Sequence, residues 1–88
     1  MFRLWGKIIC DNHLMRDMVI ADAEDDTRTH KVFRCLTELC RSFDLAEPIW
    51  LNANIAEFKK TSRTRFGRDN FVEEIDFDYL EIRVIEET

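Results

Sequence analysis

The chain has 88 residues, of which 45% are apolar and 35% charged, and its net charge is −5. That size supports a single small domain over residues 1–88, and seven Phe and two Trp give it core material, which excludes a disordered or low-complexity chain. No apolar run is long enough to span a bilayer, and the opening M-F-R-L-W-G-K-I-I-C has no signal-peptide core, so a cytoplasmic protein is expected.

Phe2, Leu4, Gly6 and Ile8 alternate with Arg3, Trp5, Lys7 and Ile9, the two-residue period of a strand. Asp11-Asn12 is a turn pair, and Leu14 to Ile20 reads as the returning strand of a hairpin. The acidic run from Ala21 to Asp26 precedes a helix, whose N-terminus favours negative charge, and Asp26 or Thr27 can cap it. The helix is predicted from Thr27 to Ser42, with Val32, Phe33, Leu36, Leu39, Cys40 and Phe43 on its apolar face. Pro48 to Leu51 reads as a brief strand or an extended plug into the core. Asn52 then caps a second helix, Ala53 to Ser62, with a thin stripe of Ile55, Ala56 and Phe58.

From Phe71 onward a strand is predicted, with Ile75, Phe77 and Tyr79 on one side. Its phase slips before Leu80, Ile82 and Val84, which calls for a bulge near Asp78 to Leu80 or a sharp bend. The order β-β-α-(β)-α-β predicts an α+β domain with both helices on one face of a small antiparallel sheet. The last strand is expected at the sheet edge. Trp5 and Trp50 are expected in the core.

Charge is segregated along the chain: −3 over residues 1–26, +4 over 27–70 and −6 over 71–88. Lys59, Lys60, Arg63, Arg65 and Arg68 form the densest basic segment. Either they face phosphate, with Phe66 as a stacking ring, or they balance the acidic strand while Phe66 anchors the core. The second reading is preferred, because an acidic domain repels a polyanion at long range.

Other motifs fail on spacing. Cys10, Cys35 and Cys40 are odd in number and lack a C-x-x-C step, which fits reduced thiols. His13 and His30 have no ligand-spaced partner, so no metal is predicted. Asp22, Glu24 and Asp26 imitate the start of a calcium loop, but Thr27 replaces its glycine and Phe33 its closing glutamate. Gly6 and Gly67 are too far apart for a phosphate loop, so no cofactor is expected. Cys10 near His13 is the one nucleophile–base candidate, and Glu74, Asp76 and Asp78 are a row of like neighbours rather than an acid–base pair.

The segments T-H-K-V-F, P-I-W-L, I-A-E-F-K-K, T-R-F and E-E-I-D-F-D-Y-L-E-I together resemble an uncharacterised family of bacterial proteins under 100 residues long. That resemblance implies a bacterial cytoplasmic protein and no activity, cofactor or catalytic residue. The expected function is non-enzymatic protein–protein contact, as a homodimer or with another protein through the C-terminal edge strand. The alternative is nucleic-acid binding by Lys59, Lys60, Arg63, Arg65 and Arg68.

Overall fold

A computed structural model describes residues 1–87. Strands β1 (Phe2–Cys10) and β2 (His13–Asp22) form the expected hairpin. Asp11 and Asn12 both take left-handed backbone angles, as a tight two-residue hairpin turn requires. Helix α1 (Arg28–Ser42) starts where the Thr27 hydroxyl accepts a hydrogen bond from the His30 amide at 3.3 Å. Helix α2 (Asn52–Thr61) ends at Ser62, which turns left-handed. Strands β3 (Arg63–Phe66) and β4 (Tyr79–Glu86) complete an antiparallel sheet in the order β2-β1-β4-β3.

This is the α+β architecture expected; of the two readings of Pro48 to Leu51 the plug holds, and two elements differ from expectation. The piece Pro48 to Leu51 is no strand but a plug, and its Trp50 ring meets Phe33, Phe58 and Phe66 edge-on at 6.0, 5.5 and 5.0 Å. The bracketed strand comes after α2 instead, carved from the basic segment: Thr64 and Phe66 point inward and Arg63 and Arg65 outward. The residues from Phe71 to Asp78 are a loop that buries Phe71, Ile75 and Phe77 without pairing as a strand, apart from a short 3₁₀ turn (Arg68–Asn70) before it. The phase slip falls where this loop joins β4, so no bulge is needed there.

The added strand β3 moves the edge. β4 is last in sequence but lies between β1 and β3, with Leu80, Glu81 and Ile82 buried in succession. The edge strands are β2 and β3. The expectation that the C-terminal strand is an edge is therefore corrected: from Leu80 to Arg83 it is paired on both sides.

The core lies between the helices and the inner sheet face. α1 covers β1 and β2, and α2 covers β3. Leu39 of α1 rests directly over Gly6, where a Cβ would overlap its Cδ2 atom. On α1 the buried face takes Cys35 in place of Phe33, which stands at the rim of the helix layer. On α2 the buried residues are Phe58 and a polar one, Asn54, while Ile55 and Ala56 are exposed. Asn54 accepts from the Leu51 amide (3.1 Å) and from Asn70 Nδ2 (2.7 Å), and donates to Thr64 Oγ1 and the Arg65 carbonyl (both 2.9 Å). Asn70 in turn donates to the Ile49 carbonyl at 2.8 Å. This pair of buried amides ties the plug, α2, β3 and the 3₁₀ turn together, with every hydrogen bond of Asn54 made.

Candidate functional site

Three places hold chemistry. The first is a groove in the helix layer. Val32 and Phe33 of α1, Trp50 of the plug, and Ile55 and Phe58 of α2 line a cavity of about 280 Å³, with Arg28, Thr29 and Lys59 at its mouth. Trp50 lies between the two helices, its ring edge-on to Phe33 of α1 and to Phe58 of α2. Phe33 and Ile55 remain 47% and 40% exposed at its walls. The Arg28 guanidinium lies over the Phe58 ring at 5.3 Å and sits 2.7 Å from the Glu87 carboxylate.

The second is the open face of the sheet, which no helix covers. Strand register sets its rows. Val19, Trp5, Arg83 and Arg63 lie side by side across the four strands, and Asp17, Lys7, Glu81 and Arg65 form the next row. Glu81 is the hub of that second row, paired with Lys7 at 2.8 Å and Arg65 at 2.9 Å. Burial alone would raise its carboxyl, but the hydrogen bonds and charges of Lys7 and Arg65 outweigh burial and hold it below the usual range. Arg65 also lies over the Tyr79 ring at 4.5 Å, and Lys7 over Trp5 at 4.3 Å. Trp5 is therefore half-buried on the open face rather than in the core, with its Nε1 donating to Asp17 at 3.0 Å. Trp50 is half-buried too, with one side in the core and the other in the groove.

The five basic residues of 59–68 do not form one patch. Lys59 faces the groove, Lys60 is exposed on the last turn of α2, Arg63 and Arg65 are on the open sheet face, and Arg68 is on the 3₁₀ turn. Phe66 is fully buried and anchors the segment, while Arg65 alone of the five is neutralised by a carboxylate among the described residues. The reading that these cations balance nearby acids thus holds for Arg65 and not for the other four. Periodicity within the segment could not find their true neighbours, since Arg83, Trp5 and Tyr79 reach Arg63 and Arg65 only through strand order.

The third is the hairpin end, where the Cys10 thiol and the carboxylates of Asp11 and Asp78 lie within 4.8 Å of one another. Asp78 already accepts from the Asp11 amide at 2.8 Å, which closes the turn against the loop. The Cys10 thiol is pushed up by burial and by Asp11, Asp78 and Asp76, the reverse of an activated nucleophile. Burial pushes Cys35 up to about 11 and Cys40 up to about 12, so both are inert core thiols. Glu73, Glu74 and Asp76 border a separate acidic hollow with Asp44, away from the helix groove. No described helix is long and apolar enough to cross a membrane. No protein-family model, curated protein or solved structure matches the chain.

Proposed function

We propose that the protein is a non-enzymatic docking protein whose groove between α1 and α2 receives an apolar side chain from an acidic segment of another protein. The observation that carries this reading is the groove itself: three aromatic rings around an open, mainly apolar hollow, with cations at the mouth. Aromatic-lined, partly desolvated pockets are where interface energy concentrates. The occupant is acidic because Lys59 lines the groove with no ion pair among the described residues, Arg28 being already paired with Glu87. The reduced thiols are compatible with a cytoplasmic setting.

The test uses a synthetic amphipathic peptide with Glu around Phe and Leu anchors, and its counterpart with Lys at every Glu. Each is titrated into Trp5→Phe protein, where Trp50 is the only tryptophan and is excited selectively over Tyr79. The acidic peptide should shift Trp50 emission and the Lys peptide should not. Phe33→Ala, a half-exposed site, should weaken binding by about 30-fold, the scale of a hot-spot truncation. Equal response to both peptides, or an unchanged Phe33→Ala, would sink the reading.

A homodimer has its own supporting surface, the ten-residue β2 edge with Leu14, Met15 and Val19 exposed along it. Sedimentation equilibrium decides it: a dimer that Val19→Lys dissociates supports pairing through β2, and a monomer at every concentration removes it.

A further inference from the structure

On the open sheet face, Arg63 and Arg83 are direct cross-strand partners, both exposed, and neither has an ion pair among the described residues. Like charges placed directly opposite are unfavourable in a sheet. Elsewhere on this face the acids are already engaged. Arg3 pairs with Glu86 at 3.0 Å, and Lys7 and Arg65 share Glu81. Arg63 on the edge strand β3 and Arg83 on β4 are the remainder.

From this geometry we infer that the open face binds the phosphate backbone of a single-stranded nucleic acid, with the Arg63–Arg83 pair as its anion clamp. Neighbouring strands are about 4.8 Å apart, so two opposed guanidiniums can reach one phosphate or two successive ones. Trp5 lies beside Arg83 in the same row, and Tyr79 lies four residues before Arg83 along β4, on the same face beyond Glu81. Both rings are held in place, Trp5 by Asp17 and Lys7 and Tyr79 by Arg65. Fixed rings beside cations on an uncovered sheet suit unstacked bases, which a duplex does not present. The ligand is short. Glu57 and Glu81 border a hollow of about 210 Å³ with Arg63 and Arg65, and the domain's net charge opposes long polyanions. This surface is distinct from the helix groove and includes only Arg63 and Arg65 of the basic segment.

The probes are fluorescein-labelled oligothymidine and oligouridine, a duplex of equal length, and inorganic pyrophosphate, each titrated by anisotropy or competition over a range of salt. Trp50→Phe protein leaves Trp5 as the reporter. Single strands should bind more tightly than duplex and quench Trp5. The logarithm of affinity should fall with that of salt at a slope of about −1.4, the value for two phosphates on a single strand. The double variant Arg63→Gln/Arg83→Gln, at two exposed positions, should bring that slope close to zero, while Lys60→Gln should leave it unchanged. No binding at low salt, equal binding by the double variant, preference for duplex, or binding of pyrophosphate alone would each overturn the proposal.

Discussion

Gly6 offers the sharpest test of how α1 sits on the sheet. A methyl group there would overlap Leu39 Cδ2 and come within 2.8 Å of its Cδ1 and Cγ, and Leu39 is fully buried. Overpacking a core of this kind costs about 1–3 kcal/mol, and because three atoms of one side chain are struck, Gly6→Ala should cost about 3 kcal/mol. A domain of this length holds roughly 4–13 kcal/mol in all, so the loss is a large share of it. At about 4–8 °C per kcal/mol, Tm should fall by roughly 12–24 °C. Gly67→Ala is the matched control: its backbone φ is −96°, and the nearest atom to an added Cβ is the Asp78 carbonyl oxygen, 3.7 Å away. It should be neutral or gain about 0.4–1 kcal/mol by restricting the unfolded chain. Urea titration followed by circular dichroism measures both. Adding Leu39→Ala to Gly6→Ala should cost less than the sum of the single changes, because the new methyl fills part of the vacated space. A Gly6→Ala protein within about 0.5 kcal/mol of wild type, the range of an ordinary surface change, would refute the close approach of α1.

Two more outcomes follow from buried polar groups. Asn54→Leu keeps the forked outline but strands the Leu51 amide and one donor of Asn70, so stability should drop by about 3 kcal/mol; a double-mutant cycle with Asn70→Ala should show strong coupling between the two amides. Independent, additive losses would mean that they do not act as a unit. Acid should also destabilise the fold. Asp22 is held low by its hydrogen bond from Arg34 (2.8 Å), and Asp26 by Arg34 and then His30. Glu81 is held low by Lys7 and Arg65 against burial. Carboxyls lower in the folded than in the unfolded state contribute stability that is complete above the unfolded value and lost as pH falls toward the folded one. Stability should therefore decline between about pH 5 and pH 2, and Arg34→Gln should flatten that decline. A profile unchanged by Arg34→Gln would show that this cluster does not link β2 to α1.

The hairpin, α1 and the α+β class were legible because each rests on contacts near in sequence. Asp11-Asn12 makes its own turn, Thr27 caps three residues away, and the α1 stripe repeats every three or four residues. The segment from Lys59 to Asp69 misled for a physical reason. Arg63 to Phe66 alternates as a strand should, but four residues after a helix are too few for the two-residue period to outweigh the helical one. Asn54 was missed because an apolar stripe is scored by hydrophobicity, and a buried amide with all its hydrogen bonds made is invisible to that measure. Ile75 and Phe77 were read as one side of a strand; they are buried, yet their segment is a loop, because burial on alternate residues does not require a partner strand.

The sequence by itself determined which residues are hydrophobic enough to leave water, where α1 begins, and how charge divides along the chain; it misplaced the start of α2, where Leu51 and not Asn52 is the N-cap and Asn52 is already helical. Local periodicity and capping decide those. Only the tertiary structure decided that β4 is central, that the five basic residues scatter over the groove, the open face and a turn, and that Arg63 meets Arg83 beside Trp5. Strand order and register decide these neighbours, and they are set by the joint packing of residues that are remote in the chain. A free pair of arginines is thus a property of the sheet and not of the basic segment.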